Sequence, residues 1–161
     1  MTVHEQVMKN MREMAALFSS SNISLEMPPQ SNLTLGTTYV DIDFGKMLTA
    51  RFKFDTRFIN PIGTFHGGFL SAVFDDTYGP LSYMAASRPV VTIELSTTFI
   101  RPFTAKDEYI DVRAELVSKS KSLLVMRAEA KTKDGKLIAT STTHSIILSD
   151  EQLSATNNNL R

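Results

Sequence analysis

The chain of 161 residues contains no cysteine. This absence excludes disulfides, thiolate nucleophiles and cysteine-ligated zinc sites. Long apolar runs are also missing, since no stretch approaches the roughly 20 residues needed to span a bilayer. No charge sign predominates, because 17 basic and 17 acidic residues cancel. A protein whose main partner is nucleic acid or an anionic membrane would instead carry a basic surplus.

The apolar fraction of 42% is that of an ordinary globular protein, and the length suits one domain. The N-terminus is a charged, methionine-rich amphipathic segment that lacks the continuous apolar core of a signal peptide. We therefore expect a cytoplasmic protein. We divide the chain into an N-terminal amphipathic helix and loop (1–31), a main domain (32–148) and a polar tail (149–161) that is expected to fray.

Two periodicities predict the secondary structure. Apolar residues recur at helical spacing over residues 3–18 and from Gly67 to about Ala86, and Gly79-Pro80 predicts a kink or an early stop in the second helix. Segment 19–31 is rich in Ser, Asn and Pro and is expected to be a loop. Alternating residues predict strands near 40–44, 48–54, 91–99, 110–116, 124–130 and 136–148. This order favours an α+β fold, with an antiparallel sheet of about six strands wrapped around a long central helix.

The segment Asn60–Gly68 and the following Asp75 concentrate the groups that can do chemistry. His66 and two glycines lie where a turn enters the second helix, and a helix N-terminus with bare glycine amides favours negative charge. Hydrolysis of an acyl group needs such donors for the developing oxyanion, together with a carboxylate. The segment therefore suggests acyl transfer to water.

The spacing within this segment restricts how a site is built. His66 and Asp75 are nine positions apart, which is ~13.5 Å of helical rise and about half a turn of residual rotation. One copy of the helix cannot aim both groups at one reacting atom. Either the two residues are unrelated, or one chain supplies Gly67 and a second chain supplies Asp75.

Structural explanations compete with each functional one. The glycine pair is compatible with a simple tight turn, and His66 with a histidine that satisfies backbone groups. Asp75 is the stronger candidate, because an aspartate in an apolar helical run is seldom buried without a partner. Asp76 is its nearest rival, and the two side chains point about 100° apart, so we expect at most one of them at the site.

Other catalytic schemes lack their motifs. The chain has no Gly-x-Ser-x-Gly elbow, no P-loop and no dinucleotide-binding glycine fingerprint. Its three histidines, His4, His66 and His144, show no metal-ligand spacing. We expect neither a metal nor a cofactor.

The run from Asn60 to Asp75 resembles the signature of the hotdog-fold acyl-CoA thioesterases, and within them the PaaI-like (phenylacetyl-CoA thioesterase-like) group. The resemblance covers roughly residues 35–148, and Thr92 to Pro102 resembles the strand after the helix in this group. It implies that residues 32–148 form a hotdog thioesterase domain. It also implies hydrolysis of an acyl- or aryl-acyl-CoA to free acid and CoA, and a homodimer or dimer of dimers with each site at the dimer interface.

The resemblance also implies roles for single residues. Asp75 would be the nucleophile or the general base that activates water. The amide of Gly67 would polarise the thioester carbonyl, and Asn60 would help to hold that oxygen or the water. His66 would support the same loop and approach the carbonyl or the sulfur, and Thr92 would position the aspartate or the water.

Substrate contacts are expected from two kinds of residue. Coenzyme A carries phosphates, so cations should flank the entrance; a solvated surface charge is the competing explanation for each. The cationic candidates are Arg101, Lys119, Lys121, Arg127 and Lys131. The acyl group needs an apolar cleft, to which Phe65, Phe69, Tyr78 and Met84 are candidates, with core packing as the alternative, and Gly68 is a further substrate-binding candidate.

Two other functions remain open. The first is a non-catalytic acyl-CoA-binding hotdog domain, such as a metabolite-sensing regulator. Such a regulator needs a DNA-binding module, and the roughly 30 residues before the first strand carry no helix-turn-helix pattern and no basic surplus. The second is a hotdog dehydratase or hydratase, which needs a different arrangement of histidine and carboxylate. Asp75 favours the hydrolase.

Overall fold

All six strands belong to one antiparallel sheet, in the order β1-β2-β4-β5-β6-β3. The computed structural model describes residues 1–19 and 26–159. Its strands are β1 (Thr38–Asp43), β2 (Met47–Lys53), β3 (Val90–Phe99), β4 (Tyr109–Lys119), β5 (Leu123–Thr132) and β6 (Leu137–Ile147). Its helices are α1 (Val3–Ser19), α2 (Gln30–Leu35), α3 (Gly67–Ala86) and α4 (Asp150–Asn159). The predicted α+β architecture is confirmed.

Helix α3 lies on the concave side of the sheet and supplies the centre of the core. Its side chains Val73, Phe74 and Leu81 are at most 1% exposed. The sheet can curve around the helix because its strand pairs are interrupted by register shifts, for example between Leu116 and Ser118 of β4, and such bulges bend a strand and increase its twist.

The N-terminal helix is part of the same core. Val7, Met8 and Met11 of α1 are buried in the cluster that α3 and the sheet form. The His4 ring stacks on Tyr39 of β1 with 5.5 Å between ring centroids. Helix α1 therefore covers the end of the sheet at β1 and packs against α3.

The helix predicted from Gly67 to about Ala86 is confirmed, and of the kink or early stop predicted at Gly79-Pro80 the early stop does not occur. Helix α3 continues through Pro80 to Ala86 and ends at Ser87, which has a left-handed φ of 53°. Proline deprives the carbonyl four residues earlier of its hydrogen bond. Burial of Pro80 and of Leu81 offsets this loss.

Two further segments are more regular than expected. Residues 30 and 31, taken as loop, begin α2, while residues 20–25 of that predicted loop lie outside the described part. The polar tail forms α4 rather than a frayed end. Ser149 and Gln152 cap its first turn reciprocally, and Leu153 is only 6% exposed.

Asp134-Gly135 lies in the turn between β5 and β6. Gly135 has a φ of 78° and donates to the Thr132 carbonyl at 2.9 Å, a conformation that glycine adopts without steric cost. Within residues 1–19 and 26–159, no helix is long and apolar enough to cross a membrane.

Candidate active site

Asn60 organises the loop that leads into α3. Its Oδ1 accepts from the backbone N–H groups of Ile62 and Thr64, both at 3.1 Å, and its Nδ2 donates to the Thr64 hydroxyl at 2.8 Å. The side-chain carbonyl is thus used within the loop. The second hydrogen on Nδ2 is the group with which Asn60 would hold a substrate oxygen or a water.

His66 is the N-cap of α3. Its Nδ1 accepts from the Gly68 N–H at 3.0 Å, so in the neutral ring the proton lies on Nε2. This capping bond satisfies one of the N–H groups that a helix start leaves unpaired. It is the contact that a loop-supporting role needs, and it leaves the exposed Nε2 edge facing solvent.

The glycine pair has a close side-chain neighbour at each position. A Cβ at Gly67 would lie 3.1 Å from the Phe99 ring, and a Cβ at Gly68 would lie 3.2 Å from Nδ1 of His66. Gly67 is the first residue of α3, where N–H groups have no acceptor within the helix. Its amide is therefore an available donor at the positive end of the helix dipole.

A cavity of about 340 Å³ contains the electrophile-binding candidates. Asn60, Gly67 and Arg101 all line it, together with Phe99 and Pro102. Phe65, a candidate for the acyl cleft, lines it as well, so the structure brings four of the predicted residues together. Phe99 was not singled out from sequence, because its contact with Gly67 joins the end of β3 to the start of α3.

Asp75 lies elsewhere on α3 and is exposed. Its Oδ1 accepts a hydrogen bond of 3.1 Å from the Thr92 hydroxyl of β3. Asp75 lines a separate cavity of about 310 Å³, on the side of α3 that faces α1 and α2. One chain therefore does not place Asp75 with Gly67, which lies ~12 Å away along the helix axis.

The carboxylate of Asp76 is hydrogen-bonded within the fold. It accepts from Ser31, Asn32 and Thr37, at 3.1, 3.1 and 2.6 Å. Burial raises the pKa of Asp76, and these three hydrogen bonds partly counteract the rise. The two adjacent carboxylates thus differ: Asp76 fastens α2 to α3, whereas Asp75 remains accessible.

The cationic candidates differ in how they are held. Lys119 donates to the Ala85 carbonyl at 2.7 Å, at the end of α3. Arg101 donates to the Leu137 carbonyl at 3.1 Å. Lys121 is exposed in the turn after β4. Arg127 pairs with Glu115 at 3.0 Å and Lys131 with Glu129 at 2.6 Å. Of the five, only Arg101 lines a cavity with a predicted catalytic residue.

The aromatic candidates for the acyl cleft are mostly core residues. Phe65 is 6% exposed, in edge contact with Phe58. Tyr78 donates to the Ser141 carbonyl at 2.9 Å, and burial raises the pKa of Tyr78 to about 12. Phe69 is 40% exposed beside the helix start. Neither Tyr78 nor Met84 lines the cavity at Asp75.

No group of three or more histidine, aspartate or glutamate side chains is placed to hold a metal ion in the described ranges 1–19 and 26–159. The two cavities present carboxylates, the Arg101 guanidinium and the amides at a helix start.

The sequence and the fold have known relatives. The model of the thioesterase superfamily matches residues 62–139, and a search of curated proteins finds no match. A thioesterase-like, phenylacetic acid degradation-related protein from Ralstonia eutropha is 27% identical, with a TM-score of 0.67 over 81% of this chain and 98% of that one. The PaaI protein of E. coli is 15% identical, with a TM-score of 0.72 over 92% of this chain and 97% of its own. The resemblance to the PaaI-like hotdog thioesterases is thereby confirmed.

A third similar structure is a thioesterase of Haemophilus influenzae, 17% identical with a TM-score of 0.68 over 76% of this chain and 85% of that one. At that identity, as for the E. coli protein, the likeness shows the hotdog fold alone. The superfamily match, which includes His66, Gly67, Asp75 and Thr92, supports thioester hydrolysis as the general activity.

We expect Thr92→Val to lower kcat by roughly 10- to 100-fold, the worth of one hydrogen bond to a charged group. The change keeps the shape of the side chain and removes the hydroxyl that holds Asp75. Thr92→Ser should restore most of the rate, and Thr142→Val, at an exposed position of β6, should leave it unchanged. Steady-state kinetics with thermal unfolding of each variant checks this; equal rates for Thr92→Val and the wild type would contradict it.

Proposed function

We propose that this protein is an acyl-CoA thioesterase that converts an acyl- or aryl-acyl-CoA into free acid and CoA, as a homodimer or dimer of dimers. The observation that carries the proposal is the exposed Asp75, held by Thr92 near the middle of α3, about two turns away from the glycine amides at the helix start. A thioester is activated enough for a carboxylate and an oxyanion donor to suffice without a metal, and one such donor is worth roughly 10²–10³ in rate.

The β3 edge supports a dimer. It is the outer strand of the sheet, ten residues long, with Val91 49%, Ile93 55% and Phe99 52% exposed. A long apolar edge strand with unpaired backbone groups is a template for pairing with another chain. A second copy of β3, antiparallel across a two-fold axis, would cover it.

The same pairing would complete the site. Thr92, near one end of β3, contacts Asp75, and Phe99, at the other end, contacts Gly67. A two-fold axis near the middle of β3, about Leu95, exchanges these ends. Asp75 of one protomer then approaches the Gly67 amide of its partner, as the helical spacing requires.

In the reaction, the Gly67 amide donates to the thioester carbonyl oxygen as it becomes an oxyanion. The Asp75 carboxylate either attacks the carbonyl carbon or takes a proton from the attacking water. In the base route the water oxygen bonds to the carbonyl carbon, the C–S bond breaks, and the proton held by Asp75 passes to the CoA thiolate. In the nucleophilic route breaking of the C–S bond leaves a mixed anhydride on Asp75, which water hydrolyses to the free acid and the restored carboxylate, with the proton from water going to the thiolate. Arg101, beside Gly67, is placed to meet an anionic part of the substrate.

Release of free thiol from a panel of short, medium, long and aryl acyl-CoAs tests this function. We expect turnover of at least one member. Absence of thiol release across the whole panel, with folded dimeric protein, would overturn the assignment; acyl-CoA binding without release would identify a binding domain instead.

The dimer makes a separate prediction. Ile93→Lys places a charge on the exposed β3 edge and should give monomers with little thioesterase activity, since a desolvated lysine opposes edge pairing. Val117→Lys is a matched control, because Val117 on β4 is 56% exposed. Sedimentation velocity and thiol release would be measured on both. An active monomeric Ile93→Lys protein would refute the shared site.

A further inference from the structure

The cavity at Asp75, which we call the N-terminal cavity, is built largely by the segment before β1. Met11 and Met14 of α1, Met27 of the following loop and Leu35 of α2 form one wall. Ala72, Gly79 and Pro80 of α3 form the opposite wall, and Asp75 lines the cavity as well. The superfamily match begins at residue 62, so the first wall lies outside it.

The lining selects an apolar ligand. Three methionines supply flexible, polarizable side chains that adapt to ligands of differing shape. No lysine, arginine or histidine is among the described residues that line the cavity, while Asp75 and Asp76 are. Phosphates and other anions are therefore disfavoured, and a neutral hydrocarbon group is favoured.

The part of the first wall that α2 forms is preformed. Asp76 of α3 accepts hydrogen bonds from Ser31 and Asn32 of α2. The Asn32 amide also donates to the Tyr39 hydroxyl at 2.8 Å. These bonds fix α2 against α3 and β1, so the wall does not need to be ordered by the ligand, which limits the entropic cost of binding.

We propose that the N-terminal cavity holds the acyl chain of the substrate, and that Met11, Met14 and Met27 set the longest chain it accepts. The proposal rests on the acyl-CoA substrate proposed above. The volume of the N-terminal cavity is about 310 Å³, and an aliphatic cavity of about 150 Å³ accommodates benzene. On that scale it holds an acyl chain of about 12 carbons, with the carbonyl at Asp75 and the CoA portion outside.

Binding to the Asp75→Asn protein tests this without turnover. Straight-chain saturated acyl-CoAs of 2 to 16 carbons would be titrated by calorimetry. Affinity should increase about fourfold per methylene up to a limit and then level off. Met14→Trp, which fills the cavity, should shorten the limit by roughly two carbons and weaken the longest accommodated chain about 15-fold. Met14→Ala should lengthen the limit.

Leu33→Trp is the matched control, because Leu33 lies on α2 but is 57% exposed. Leu33→Trp should not change the chain-length limit measured for the Asp75→Asn protein. The proposal is overturned if affinity does not depend on chain length, or if both Met14 variants keep the parent limit. A failure of the enzymatic assignment would look different. The wild type would then release no thiol, while substitution of Met14 would still change the chain-length limit of binding.

Discussion

We expect Asp75→Asn to reduce kcat for acyl-CoA hydrolysis by about 10²–10⁴-fold, the range attributed to a positioned acid or base. The amide keeps the size of the side chain and can still interact with the Thr92 hydroxyl. It removes the charge that either attacks the carbonyl or accepts a proton from water. Since Asp75 is exposed on the helix surface, the fold should be unaffected. Thiol release and thermal unfolding of the purified variant measure both effects.

Asp76→Asn is an unusually close control, because it makes the same chemical change one residue further along α3. Asp76 accepts three hydrogen bonds from α2 and the residues just after it, so its replacement should alter the unfolding temperature and spare most of the rate. The assignment of the two carboxylates would be reversed if Asp76→Asn abolished thiol release in a folded protein while Asp75→Asn retained it.

Much of the fold follows from local patterns. Apolar and polar residues alternate along the six strands, so the existence of the strands and their positions along the chain could be predicted to within a few residues. Asp75 could be singled out as a candidate because a carboxylate in an apolar helical run needs an explanation. The end of α3 near Ala86 could be predicted from its apolar periodicity. Whether Gly79-Pro80 would end the helix early could not be predicted, because tertiary burial of Pro80 and Leu81 overrides the local preference of that pair.

The remaining features depend on contacts between distant segments. Asp76 could not be told from Asp75 until α2 was known to supply Ser31 and Asn32. Phe99 beside Gly67, and Lys119 on the Ala85 carbonyl, join elements far apart in sequence. The N-terminal cavity has no motif at all, because methionines at helical spacing in α1 indicate only a buried face.

The antiparallel arrangement of α3 and β3 leads to the most discriminating experiment. Asp75→Asn and Gly67→Val chains, carrying different tags, would be co-expressed and the heterodimer isolated through both tags. Each parent homodimer should be nearly inactive, since valine at Gly67 forces a Cβ against the Phe99 ring. If each site takes Gly67 from one chain and Asp75 from the other, one of two sites is intact, and the heterodimer should have about half of the wild-type rate.

A second heterodimer removes the remaining ambiguity. Here the wild-type chain is paired with a chain that carries both Asp75→Asn and Gly67→Val. A site shared across the dimer is then damaged on both sides, in one site at Asp75 and in the other at Gly67, so this heterodimer should be inactive. A site contained within one chain would reverse the two results, because the wild-type subunit alone would keep half of the activity. A shared site therefore predicts that the first heterodimer is more active than the second, and a site within one chain predicts the reverse.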